Sequence, residues 1–417
     1  SSFYSLQLIM NTVSFLSIDH QELLQKATAF PIGINCVRAK GENVYRIILK
    51  ITIDFAITLK NNREFKIYVV PISLEKKSLL GLMCAFFDDK DEPLVIWRPL
   101  DSGSDSEDLL YSIQTKNVIV HVFDEQNREI LGYQAVINIP LMAKIRIEHH
   151  NLTEIDNTEI YAAEKQARNW FGQRTKNDDL DAITVCLEKP TLHEDMFISY
   201  INATDQKITV SHTELDRKEP GYRQESDIIN LLSRIFNPGD LYHSPKRHYD
   251  KEEIADIIVV TKNTCLIIQA KDSPNTTESI SRTLDRKRRT SIRLAKDAIK
   301  QLSGSLGYIR RSQGEPLRMI LGSQEVSIDI NGKSLLCLAV VRELFNNDSK
   351  HYFDEISKFW KKENTPCLIF DYAELHMYTS FCRSEDSFIK LCKQVHKKIV
   401  DEKAFSRMRF YTHDIPT

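Results

Sequence analysis

The sequence predicts an α+β to α/β chain in two parts: a β-rich part over residues 1–213 and a mixed α/β part over residues 214–417. Three observations predict it. Runs rich in Ile, Val, Phe and Tyr at 44–59, 64–74, 79–87, 93–99 and 117–139 alternate with polar turns such as 88–92 and 124–127, the texture of an antiparallel, strand-dominated domain. Amphipathic helical periodicity marks 221–236 and 282–311 in the second half. Between them the charged segment Glu214 to Gly221, with Pro220-Gly221 as punctuation, sets the boundary.

In chain order, residues 3–18 are moderately apolar but contain Ser, Gln, Asn and Thr and lack a basic leader, so no signal peptide is expected. The Ser/Asp/Glu-rich stretch Asp101 to Asp108 reads as a surface loop or helix lead-in, because its spacing matches no calcium loop. A helix near Glu159 to Arg174 and strands around 182–187 and 196–210 close the first part. The helix over 221–236 carries Ile228, Leu231, Leu232 and Ile235 at helical spacing and stops at Asn237-Pro238-Gly239. Glu225 lies near that apolar stripe, one turn from the helix start.

Residues 254–271 carry the most information. Two apolar runs flank Thr261-Lys262-Asn263-Thr264, so the segment reads as a tight hairpin whose strands are buried on both faces. With a two-residue turn at Lys262-Asn263, Val260 pairs with Cys265, Ile258 with Ile267 and Asp256 with Gln269. Asp256 and Gln269 then share one face with Cβ atoms roughly 5 Å apart. Lys271 is on that face too, and Ala270 points away. Buried charges are costly unless paired or bound to a metal. Either Asp256 and Lys271 form a salt bridge at a sheet edge, or the set does chemistry. A carboxylate, an amide oxygen and an ammonium suit phosphodiester hydrolysis: Mg²⁺ takes oxygen ligands together with waters and a substrate phosphate, and Lys271 would orient the attacking water and offset developing charge.

Asp256 followed by Gln269-x-Lys271 resembles the D…(D/E)xK signature of the PD-(D/E)XK nuclease superfamily, in the Q-x-K variant of Mrr-type restriction endonucleases. The resemblance covers about residues 215–417. It implies a restriction-endonuclease-like αβββαβ core with added C-terminal helices, with Leu317 to Leu321, Leu335 to Val341 and a unit from Cys367 to Val400 completing it. It also implies that Glu225 is the helix carboxylate near the metal or its water. Asp256, Gln269 and Glu225 would bind Mg²⁺, with Mn²⁺ able to substitute, and Lys271 would complete the catalytic set. Ala255 stands where the family often has Pro, and Gln269 replaces an acid, which leaves one negative charge fewer for the metal. The family expects a basic helix carrying a Gln after the hairpin. Arg282, Arg286, Lys287, Arg288, Arg289, Arg293, Lys296 and Lys300 fit such a nucleic-acid-binding helix, and Gln301 fits the supporting Gln.

Composition limits the other readings. A net charge of −2 leaves any nucleic-acid affinity to local patches. The eight cysteines form no CxxC pair, and the twelve histidines show no zinc spacing joined to cysteines. No run of about 18 apolar residues occurs, so no membrane span is expected, and the unpaired cysteines, mostly within apolar runs, point to a reducing, cytoplasmic interior. Gly103, Gly132 and Gly172 stand alone, without a phosphate-loop pattern. The residues and the resemblance together imply a metal-dependent DNA endonuclease, and by analogy with the family a restriction or antiphage defence effector controlled by a recognition or regulatory domain over 1–213, a homodimer answering an activating ligand or protein. The alternatives are a catalytically silent module that binds nucleic acid or a protein partner, and an RNA-cleaving nuclease.

Overall fold

The computed structural model describes residues 16–30, 32–39, 41–75, 77–88, 93–192, 196–200, 208–212, 215, 221–274, 284–312, 314–382 and 384–407. The chain is a mixed α and β protein that divides into two compact units, the first reaching Asp216 and the second comprising Arg217–Pro274 and Arg282–Phe410.

In the first unit, helices α1 (Leu16–Asp19) and α2 (Gln21–Ala29) precede strands β1 (Gly33–Val37) and β2 (Arg46–Lys50). Helix α3 (Ile53–Asn62) leads to β3 (Glu64–Leu74), β4 (Lys77–Phe86) and β5 (Leu94–Leu100). Helix α4 (Ser104–Ile113) leads to β6 (Asn117–Phe123) and β7 (Glu129–Asn138), and α5 (Leu141–Glu148), α6 (Asn157–Gly172) and α7 (Lys176–Leu180) lead to β8 (Ile183–Pro190), β9 (Met196–Tyr200) and β10 (Ile208–His212). One large sheet runs β1-β2-β6-β7-β8-β3-β4-β5, with β9 attached to β7 and β10 to β9.

Period-two alternation buries both faces of this sheet. Phe65, Ile67 and Val69 of β3 join Leu80, Leu82, Cys84 and Phe86 of β4 in one core, to which α3 adds Ala56 and Leu59. The alternate residues Tyr68, Val70, Ile72, Met83 and Ala85 join Ala163, Ala167 and Phe171 of α6 in a second. Two expectations need correction. The sheet is not wholly antiparallel, because β2 and β6 run parallel with Ile47 opposite Val120. The run 44–59 is also not all strand, since from Ile53 it becomes α3, whose residues Ile53 to Leu59 are buried. Packing against the sheet overrides the β preference of its Ile, Phe and Thr.

In the second unit α8 (Gly221–Leu232) is followed by β11 (Leu241–His243), β12 (Lys246–Arg247), β13 (Ile257–Val260) and β14 (Thr264–Lys271). Then come α9 (Leu284–Arg311), β15 (Leu317–Leu321), β16 (Gln324–Ile328), β17 (Ser334–Val341), α10 (Ser349–Glu363), β18 (Cys367–Asp371), α11 (Tyr372–Phe381) and α12 (Glu385–Glu402). The main sheet runs β11-β13-β14-β17-β18. Its β11-β13-β14 edge is antiparallel, whereas β14, β17 and β18 run parallel. Parallel strands need cover on both faces, so β14 is buried from Thr264 to Ala270 and β18 throughout. Helix α9 packs on β14 and β17 and against α10, while α8 packs against α11. Leu317–Leu321 does not join this sheet: β15 pairs with β12 and β16 in a separate three-stranded sheet.

The turn that registers β13 on β14 has no glycine and is held by side chains instead. Thr261 N–H donates to Thr264 O at 2.9 Å, and Thr261 Oγ1 accepts from Thr264 N at 3.1 Å. The Lys333 ammonium donates to the carbonyls of Thr261 at 2.7 Å and Lys262 at 2.8 Å. Val260 therefore faces Cys265 and Ile258 faces Ile267, the register that a two-residue turn requires.

A close approach in the first unit provides a stability test. On β4, a Cβ at Gly81 would sit 1.8 Å from the Trp97 indole. Gly81→Ala is expected to destabilise the chain by ~1–3 kcal/mol through overpacking, seen as a lower urea midpoint at unchanged slope. An unchanged midpoint would show that the indole is free to move aside.

Candidate functional site

Asp256 directly precedes β13, and continuing the hairpin register by one residue beyond Ile257 and Ile268 sets it opposite Gln269. The residue is only 6% exposed. Its Oδ2 accepts the backbone N–H of Ala270 at 2.6 Å, and its carbonyl accepts the N–H of Ser244 at 2.7 Å. Burial raises its carboxyl from 3.8 to about 6, against the Ala270 N–H and the Lys271 charge, which both lower it. The negative charges of Glu253 and Glu225 push it further upward.

Gln269 is held beside it, 5% exposed. In the amide orientation that satisfies both ends, Nε2 donates to Asp256 Oδ1 at 3.1 Å and Oδ2 at 3.0 Å, and to Oε1 of Gln301 at 3.1 Å. Two N–H groups thus serve a carboxylate and an amide carbonyl, the first shared between the two carboxylate oxygens. One turn along α9 from Gln301, Ser305 Oγ donates to the Ile254 carbonyl at 2.5 Å, which ties the helix to the chain leading into Asp256.

Lys271 ends β14, half-buried, with Val341 beside it on β17. It makes no hydrogen bond or ion pair among the described residues, so the edge salt bridge with Asp256 does not form, although its charge is felt there. An ammonium left unpaired near a buried carboxylate marks a place where a ligand's negative charge would be welcome.

Glu225 is positioned by α8 but turned to a different partner. The His243 Nε2–H group donates to Glu225 Oε2 at 2.6 Å, and Ser244 Oγ donates to the same oxygen at 3.2 Å. Its charge still reaches Asp256. His243 and Ser244 belong to the site and were not anticipated, because three-residue β11 is too short to show a periodic pattern. The useful signal is their position: His243 pairs with Ile257, the neighbour of Asp256.

On α9 the cations divide. Arg286, Arg289, Arg293, Lys296 and Lys300 are exposed at spacings of three and four, one continuous stripe. Arg288 is instead committed to a bidentate pair with buried Asp348, Nε to Oδ2 at 3.0 Å and Nη2 to Oδ1 at 2.6 Å. Lys287 is half-buried, and Arg282 lies outside the described residues. Among the described residues no group of three or more His, Cys, Asp or Glu side chains gathers around one point, and all eight cysteines are free thiols. No helix among them is long and apolar enough to cross a membrane.

The raised Asp256 carboxyl sets a pH test. The folded state holds this proton more tightly than the unfolded chain, so the associated stability is present below about pH 4 and lost as pH rises through about 6. In EDTA, Asp256→Asn is expected to stabilise the protein at pH 8 by up to ~3 kcal/mol, a gain that vanishes near pH 4. Urea unfolding at the two pH values measures it, and a gain that ignores pH would contradict the buried, costly charge.

Comparison of the chain with protein-family models, with curated proteins and with solved structures finds no match in any of the three, so the reading of this site rests on its own residues.

Proposed function

We propose that the second unit is a metal-dependent endonuclease domain that hydrolyses DNA phosphodiester bonds. The observation that carries this reading is the meeting of the Asp256 carboxylate with the Gln269 and Gln301 amides at the end of β14, where Lys271 makes no hydrogen bond or ion pair among the described residues. The order α8, β11, β13, β14, α9, β17 supports it, being the αβββαβ sequence of elements expected of a restriction-endonuclease-like core.

The donor set suits a hard cation. Both Asp256 oxygens and Gln301 Oε1 lie 3.0–3.1 Å from the terminal amide atom of Gln269 that faces them. Neighbouring oxygens around an octahedral ion with ~2.1 Å bonds stand ~3.0 Å apart. A half-turn of the Gln269 amide exchanges N for O at that position, from hydrogen-bonding Asp256 to presenting a carbonyl oxygen with it. One carboxylate and neutral oxygens, completed by water and a phosphate, match Mg²⁺ or Mn²⁺ better than a softer metal. When bound, the cation would polarise the scissile phosphate and acidify a water near it.

The chain's own groups supply the rest. Lys271 offsets charge that grows on the phosphate and orients the attacking water. Glu225, fixed by His243 and Ser244, adds negative potential at the rim of the site, close enough to favour a cation there. The stripe from Arg286 to Lys300 tracks the phosphates on either side of the cut and sets the strand's register. Cutting both strands of a duplex calls for two such sites, hence a homodimer. The first unit acts as the recognition or regulatory part, answering a ligand or protein signal, and a restriction or antiphage role fits that arrangement by analogy.

A second reading, a module that binds nucleic acid without cutting, is favoured by one observation: among the described residues Asp256 is the only carboxylate bonded to the Gln269 amide, and Glu225 bonds to His243 instead. Supercoiled plasmid and a structured RNA, each incubated with the full chain and Mg²⁺, separate the readings. Metal-dependent nicking of DNA that falls at least 100-fold in Lys271→Ala is the expected result. RNA cut in place of DNA would change the substrate, and unchanged nicking in Lys271→Ala would remove this site from the chemistry.

A further inference from the structure

The loop after β12 presents an aromatic ring that the cleavage site does not use. Tyr249 is 58% exposed, and among the described residues of the second unit no other large hydrophobic side chain is so exposed. Its ring is braced from below. The His248 ring meets it edge to face at 5.3 Å, and the Tyr308 ring lies at 6.1 Å. Tyr308 is itself fixed: its hydroxyl donates to the Arg318 carbonyl at 2.9 Å, and the Arg247 guanidinium sits 5.8 Å from its ring centroid. A flat, polar-edged ring is thus held out to solvent at little further entropic cost.

The position matters as much as the ring. Tyr308 follows Gln301 by seven residues on α9, two turns along the same stripe, which is ~10 Å of helix axis. The chain carrying Tyr249 begins at His243 and Ser244, which hold Glu225. It returns to the Ile254 carbonyl, which Ser305 binds two residues before Asp256. The ring therefore shares its supports with the candidate cleavage site, a few nucleotides' length away.

We propose that Tyr249 is a stacking platform for an unpaired nucleobase, a subsite that gives the chain affinity for single-stranded nucleic acid a few nucleotides from the scissile phosphate. The inference rests on the nucleic-acid reading above and adds a substrate feature to it. A protein partner would need a contiguous apolar patch, and among the described residues of the second unit no other large hydrophobic side chain is exposed. A base needs only one aromatic face, and every base has a π surface to offer. Exposed Lys246, at the foot of the loop, supplies a cation for the adjoining phosphate, while the acids Asp250 and Glu252 are engaged by Arg247 at 3.0 and 3.2 Å.

The test is fluorescence anisotropy of the full chain with a labelled oligonucleotide, single-stranded or as a blunt duplex, in EDTA so that nothing is cut. Tyr249→Ala is expected to weaken single-strand binding by about 5- to 150-fold and duplex binding far less, whereas Tyr249→Trp retains it. In Tyr249→Trp a single-stranded oligonucleotide should also quench the added indole fluorescence. Single-strand binding by Tyr249→Ala within twofold of the unaltered chain would overturn the platform, and so would equal losses on single strand and duplex. These outcomes are independent of cleavage. A chain that nicks plasmid through Lys271 yet ignores Tyr249→Ala loses the platform and keeps the nuclease, and one that needs Tyr249 for binding but never cuts does the reverse.

Discussion

A carboxylate stripped of water at the end of a buried hairpin is the constraint around which the second unit is arranged. Asp256 has one backbone N–H, one amide and a distant ammonium in place of solvent, and its raised proton affinity measures what it lacks. A core built for stability alone would place Ile or Val there, as β13 does at the next four positions. The neighbours are arranged to hold the group rather than to neutralise it. Lys333 cinches the turn that sets the register, Ser305 ties α9 to the chain leading into Asp256, and Ser244 bonds the Asp256 backbone.

The same economy explains why Lys271 and Gln269 matter together. An ammonium close enough to neutralise Asp256 would cancel the attraction for a cation; Lys271 instead lowers the carboxyl from a distance and makes no pair among the described residues. Gln269 adds no charge of its own, so the site carries a single full negative charge at its centre, with Glu225 contributing from the rim. Such a site would bind a divalent ion weakly by itself and better with a substrate phosphate present. On the proposed reading the exposed cations of α9 would bring the phosphate in, whereas Arg288, bound to Asp348, is part of the scaffold that holds the helix.

The hairpin was legible in the sequence because its signals are local: two continuous apolar runs, a two-residue turn between them and polar residues at fixed offsets. Pairings that depend on distant residues were not. Strand β2 beside β6 is a parallel contact across a long connection, which no local pattern encodes. The helix from Ile53 contains Ile, Phe and Thr that prefer strands, and it forms because the sheet offers its buried face a partner. The separate β15–β16 hairpin did carry a readable sign, Gly322-Ser323 between pairing strands with Gly322 at φ +59°, and it redirects Leu317–Leu321 away from the main sheet. At the site, Asp256, Gln269 and Lys271 could be placed by counting along strands. The partner of Glu225 could not, because His243 sits on a strand of three residues whose pairing depends on the hairpin already being formed.

The central claim is that the Gln269 amide and the Asp256 carboxylate form one divalent-cation site. The most direct measurement is the anomalous signal of crystals of the full chain grown with Mn²⁺ and with EDTA. The account predicts one Mn²⁺ bound by an Asp256 oxygen and by Oε1 of Gln269, its amide turned a half-turn from the EDTA form. Millimolar Mn²⁺ that leaves Asp256 without an ion and the Gln269 nitrogen still facing the carboxylate would contradict it.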